Sequence, residues 1–268
     1  AVKVLNRNRP LLALPLPVVA AGLVSALVFQ AAEWGLAVDP IQLLVPPLVT
    51  FLPGGMLTMA MVELTYGDMV SGSARLVTGF VQLMLLAFGL AAGAAFVDYR
   101  VDDLLEPTAP LTSLPWVPWA GVLVFGLGMY LHFSAPRRSL LWILAVLLVV
   151  FAAQRASTEL VSSEVSGFFG MLVAVPLGYL VQLRFQGPPA MVTFLPSFWI
   201  VVPGSLGLIS VTRMLSDRAA GIDGLVTVLI VLVSVALGTL VGAALYKAAT
   251  ETFGWWQLQI GRALRRKR

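Results

Sequence analysis

Apolar runs separated by short polar stretches fill this chain, and most are long enough for a helix to cross the hydrocarbon of a bilayer. Eight runs are read as spans: about 11–32, 41–62, 76–97, 114–134, 139–154, 160–183, 190–212 and 224–246, the fifth being short. None alternates apolar and polar residues with a period of two. Helices, rather than the strands of a barrel, are therefore expected to satisfy the backbone polar groups in lipid. The expected fold class is all-α: a polytopic membrane protein of about eight transmembrane helices, carrying part of a five-plus-five inverted repeat.

Composition supports this reading. Hydrophobic residues make up 59% of the 268 positions, charged residues only 11%, and the mean hydropathy is +0.93. Cysteine is absent, which excludes disulfides, thiolate metal sites and cysteine nucleophiles. No metal and no cofactor is expected. The basic opening "AVKVLNRNRP" starts at Ala1 and precedes spans too long and too numerous for a cleavable signal, so the chain is expected to be a fragment.

Charge adds an orientation. Thirteen of the 17 lysines and arginines, among them Arg75, Arg137, Arg138, Arg184 and Lys247, flank the spans on one side, against Arg100, Arg155, Arg213 and Arg218 on the other. Basic residues near span ends stay cytoplasmic, so both termini are expected there, with an even number of spans. The net charge of +4 then reflects juxtamembrane residues facing lipid headgroups and is no argument for nucleic acid.

The chain also repeats itself. "VPPLVTFLPGGMLTMAMVE" overlays "LPSFWIVVPGSLGLISVTR", pairing Pro46 with Pro196, Pro53 with Pro203 and Gly54 with Gly204 at an offset of 150. With one residue dropped from the next loop, Gly72, Gly89 and Gly93 pair with Gly221, Gly238 and Gly242 at 149. Residues 1–112 read as the C-terminal part of a first transmembrane repeat with three spans, and 113–247 as a second repeat with five. Residues 248–268 read as a cytoplasmic, amphipathic, basic tail in which Trp255 and Trp256 suit the headgroup region. Under the expected orientation the two copies run in opposite directions, and two further spans are expected ahead of Ala1.

Each repeat carries a span that ought to break. A proline lacks its N–H and crowds the carbonyl four residues earlier, so the carbonyls of Gln42, Leu43, Val49, Val192 and Trp199 are expected to lose helical partners. Seven residues separate the prolines in both copies, about two turns, which predicts that the interruptions share one face. Such breaks persist in a membrane only against protein, water or a polar cavity. A matched pair of them marks the binding site of many transporters, with half-helix N-termini aimed at an anionic group. The candidate substrate-binding residues are Thr50, Pro53, Gly54, Gly55 and Thr58 in the first segment and Pro203, Gly204 and Ser205 in the second. The bland alternative is that the prolines only kink packed helices and the hydroxyls bond back to their own backbone.

Three ionisable residues are candidates for proton coupling or an ion pair. Glu63 and Arg213 occupy equivalent positions with opposite charge, although both lie near span ends. Glu164, with Ser162, Ser163 and Ser166, is the preferred proton carrier, expected inside the sixth span, where burial would raise its pKa, unless that span begins later and leaves it in water. His132 ends the fourth span and reads as interfacial. Gly89-x-x-x-Gly93 and Gly238-x-x-x-Gly242 have the spacing of close helix crossings. The nucleophile-elbow, zinc-protease and phosphate-loop signatures are missing, so no enzyme is expected.

"FLPGGMLTMAMVELTYGDMVSGSARL" with the following "GLAAG", and "FLPSFWIVVPGSLGL" with the following "ALGTLVGAAL", resemble the two halves of the threonine/serine exporter family of bacterial inner-membrane proteins. The resemblance covers residues 11–247. It implies ten spans in two homologous halves, a cytoplasmic N-terminal region, and export of small hydroxylated amino acids driven by protons. This chain departs from that plan by lacking the first two spans and the soluble segment. The leading expectation is a proton-coupled antiporter for threonine and serine in the bacterial cytoplasmic membrane. The rivals are a channel-like pore and a non-transport membrane assembly subunit, and the number of copies in an assembly is left open.

Overall fold

The computed structural model describes residues 15–35, 40–65, 67–98, 114–202, 204–216 and 218–265, without the side chains of 40–42, 65, 212–216 and 252–265. Ten α-helices lie among these residues, and no strand: α1 (Pro15–Glu33), α2 (Pro40–Leu48), α3 (Gly54–Thr65), α4 (Met69–Phe96), α5 (Val117–His132), α6 (Leu140–Leu160), α7 (Ser166–Leu183), α8 (Ala190–Val201), α9 (Gly204–Ser216) and α10 (Arg218–Arg265). The chain is a polytopic, all-helical membrane protein.

Among the described residues, six stretches are long and apolar enough to cross a membrane: Pro15–Glu33, Met69–Phe96, Arg137–Leu160, Ser166–Leu183, Ala190–Val211 and Arg218–Glu251. Gly54–Leu64 and Val117–His132 are apolar but shorter, so the eight expected spans become six plus two short helices. The run 41–62 is divided into α2 and α3. The sixth run starts at Ser166 rather than 160, behind a turn, and α10 continues without interruption past position 248.

The residues fall into two compact units. Unit 1 comprises Ala1–Ser113 with Pro203–Leu232; unit 2 comprises Leu114–Val202 with Val233–Arg268. Pro203–Leu232, which belongs to the second repeat in sequence, therefore packs with the first. In unit 1, Leu48 and Leu52 of the first broken segment join Phe29, Leu86, Leu208 and Leu232 in one apolar core. In unit 2, Val122 of α5 packs on Ile143 and Leu147 of α6. Its α7 and α8 are joined where the Gln182 side chain accepts a hydrogen bond of 2.8 Å from the Ala190 N–H, satisfying an end group that α8 cannot satisfy itself.

One helix crossing occurs twice. A Cβ on Gly89 of α4 would collide with the carbonyl oxygen of Val18 on α1, and one on Gly93 with the carbonyl oxygen of Gly22. In unit 2, a Cβ on Gly238 of α10 would collide with the carbonyl oxygen of Phe168 on α7, and one on Gly242 would lie 3.2 Å from that of Leu172. Phe168 and Leu172 stand 150 residues after Val18 and Gly22. Each glycine pair lets two backbones approach more closely than any side chain would allow.

Candidate functional site

The first break lies between α2 and α3. Leu48 ends α2, and its carbonyl accepts from Phe51 at 2.8 Å and from Leu52 at 3.2 Å, while the Val49 carbonyl accepts from Leu52 at 3.3 Å. Val49 was expected to be stranded by Pro53; the tight turn gives it a partner instead. The carbonyl that falls in the gap is that of Phe51, and the amide of Gln82 on α4 donates to it at 2.6 Å. A side chain from the neighbouring helix thus supplies the donor that the broken ladder cannot.

The shared proline face does not hold here either. Pro46 and Pro47 sit in the last turn of α2 and are exposed, whereas Pro53 is buried. The chain turns between them, so the seven-residue spacing no longer maps onto a single helical face.

Helix α3 starts at Gly54, and its first helical bond runs from the Leu57 N–H to the Pro53 carbonyl at 2.9 Å. The N–H groups of the first turn therefore have no acceptor within their own helix. Thr58 is completely buried, and its hydroxyl donates to the Gly54 carbonyl at 3.0 Å, which commits its proton to the backbone. Gly55 is half-buried and Thr50 exposed. Opposite α3, Gly79 of α4 makes room for Leu57 and Pro53.

At the second break, α8 keeps Pro196 in its interior and ends at Val201, after which Val202 is extended, with φ −71° and ψ 127°. Pro203 lies outside the described residues. Helix α9 begins at Gly204, which is buried, and Ser205 beside it is half-buried. Within unit 2, Gly170 of α7 makes room for Val201 and for the side chain of Gln154 on α6.

The start of α9 meets the first break inside unit 1. A Cβ on Gly204 would lie 3.3 Å from the Leu52 Cβ and 3.7 Å from the Gly54 Cα. The first residues of α3 and α9 are therefore in contact, and two positive helix ends, each equivalent to about half an elementary charge, occupy one place. Backbone N–H groups at such an end bind a carboxylate well. Gly207, one turn into α9, packs on Leu83, the neighbour of Gln82. One turn past the meeting point, a cavity of about 300 Å³ is lined by apolar side chains, including Leu57, Phe80, Leu83, Val228 and Leu232.

The ionisable candidates are placed elsewhere. Glu63 is bonded to Arg75 at 2.9 Å and accepts from the Ser71 hydroxyl at 2.8 Å, which ties α3 to α4. The side chain of Arg213 lies outside the described residues. Glu164 is in the turn before α7, not inside a span. Its carboxyl accepts hydrogen bonds from Ser162, from its own backbone N–H and from Ser163, which hold its pKa below the usual carboxylate value. The shift is opposite to the raised pKa expected inside a span, because these hydrogen bonds to the charged form outweigh desolvation. Among the described residues, no group of three or more His, Asp or Glu side chains could hold a metal ion.

The residues that reading the chain missed are Gln82 and Gln154. The available signal was an amide side chain in the middle of an otherwise apolar run, which is costly unless it meets a polar partner.

Comparison with known proteins bears on the first half. Residues 2–97 match the family model described as "Putative threonine/serine exporter", so the family resemblance holds over α1 to α4 and the first break. The chain is also similar to pheromone-regulated membrane protein 10 of Eremothecium gossypii, at 26% identity over 173 residues. That alignment covers 63% of this chain and 23% of the relative, so the chain spans about a quarter of that protein's length. No solved structure matches.

Proposed function

We propose that this chain forms the membrane part of a secondary transporter that exports threonine and serine, exchanging them for protons. The observation that carries the reading is the meeting of Gly54 and Gly204, where two helix N-termini abut beside a backbone gap held open by Gln82. Such a place suits the carboxylate of an amino acid, and the half-buried Ser205 beside Gly204 is the proposed partner of its hydroxyl. The recurrence of the glycine crossing, its glycines at an offset of 149 and their partners at 150, supports two homologous halves, which run in opposite directions if both termini are cytoplasmic. Glu63 is the proposed proton carrier, since its bond to Arg75 ties α3 to α4, one side of the meeting point. The proposed location is the bacterial cytoplasmic membrane.

Flux in proteoliposomes containing the protein tests this. Saturable threonine movement that is driven by a pH gradient, collapses with a protonophore and is lost in Gly204→Leu supports the exporter. Flux that ignores the gradient points to a fixed pore, and a correctly folded protein without threonine flux removes the transport reading.

A further inference from the structure

A groove of about 990 Å³ runs between α7 and α10 in unit 2. On α7 its wall starts at Leu172 and passes Pro176, Leu180 and Leu183 to Arg184, the one charged lining residue among those described. Twelve helical residues rise about 18 Å, roughly the depth of one leaflet. On α10 the wall is Leu245, Tyr246, Ala249 and Thr250.

The two helices are pinned where Gly242 meets Leu172 and Pro176, and Tyr179 stacks on Tyr246 with ring centroids 4.6 Å apart. Toward Arg184 the surroundings become those of a membrane interface. Trp142 and Phe185 pack together at 5.6 Å, and exposed Lys247 stands on the adjacent turn of α10, with the carboxylate of Glu251 3.9 Å from it. Arg184 and Lys247 both belong to the side that basic residues mark as cytoplasmic, where anionic lipids collect.

We infer that this groove binds an anionic phospholipid, one acyl chain lying along Leu172–Leu183 and the phosphate resting on Arg184. An apolar channel of leaflet depth with Arg184 at its mouth complements an anionic amphiphile. A zwitterionic lipid of the same chain length would gain the apolar contact without the net attraction.

The purified full chain, exposed to equal amounts of phosphatidylglycerol and phosphatidylcholine with identical chains, would be read by native mass spectrometry. Phosphatidylglycerol should be retained about fivefold better, the effect of one basic residue at a membrane surface. Arg184→Gln should remove that preference and Arg184→Lys keep most of it. Ala249→Phe, which narrows the groove, should lower retention of both lipids. Glycerol phosphate, which has no chain, should not compete. Equal retention of the two lipids, a preference that survives Arg184→Gln, or competition by glycerol phosphate alone would each overturn the inference.

Discussion

At the first break the Phe51 carbonyl takes a hydrogen bond from Gln82; at the position equivalent to Gln82 in the second repeat stands Val231, buried and apolar. In unit 2, Gln154 of α6 lies against Gly170, which Val201 also approaches. The first broken segment stays within unit 1, while the second leaves unit 2 at Val202 and enters unit 1 at Pro203. The glycine crossings behave differently: the same carbonyls are met in the two units, more loosely at Gly242 than at Gly93. Duplicated sequence preserves a scaffold contact that depends only on glycine spacing. Breaks whose carbonyls must be satisfied in lipid are free to diverge, because any neighbouring helix can supply the donor.

The sharpest way to break this comparison is to attack the crossings. Gly89→Leu and Gly238→Leu should be equally damaging, each costing about 3 kcal/mol or more by forcing backbones apart. Size-exclusion chromatography in detergent should show loss of a monodisperse species for both, and a marked inequality would mean that the crossings are not equivalent.

Next come the breaks. Gly204→Leu should reduce threonine flux by about 100-fold, equivalent to about 2.7 kcal/mol, because the side chain enters the space of Leu52 and Gly54. Gly204→Ala brings only a 3.3 Å contact and should remain active. Gln82→Leu should destabilise the protein by about 1 kcal/mol, toward the low end for an unpaired carbonyl because this one is only part-buried, and lower both melting temperature and flux. Val231→Leu should leave flux intact, and equal flux defects in the two variants would remove the asymmetry.

The smallest effects are expected from the carboxylates. Glu63→Gln should cost about 0.2–1 kcal/mol by chemical denaturation, since its partner Arg75 is half exposed and solvent screens the pair. If Glu63 is the proton carrier, the same variant uncouples flux from the pH gradient out of proportion to that stability loss. Glu164 has a lowered pKa in the folded protein, so its stabilising contribution is present above the ordinary carboxylate pKa and is lost only as pH falls through the lowered value. Glu164→Gln should therefore leave the pH profile unchanged between about pH 6 and 8.

Much of this molecule was decided by the order of its residues. Apolar runs set the helices because the backbone in hydrocarbon has no other partner, and Pro53-Gly54 and Pro203-Gly204 located both interruptions. The glycine pairs announced the crossings through spacing alone. Tertiary structure decided what periodicity cannot carry: that Gly204 rests on Leu52 and Gly54, that Gln82 rather than a threonine serves the first gap, and that Glu63 answers to Arg75. It also left Glu164 in a hydrated turn. Helix formation and breakage depend on groups within about four residues of one another, and the chain states these directly. A hydrogen bond across 31 residues, or a contact across 150, depends on how helices pack, and many packings are compatible with the same apolar pattern.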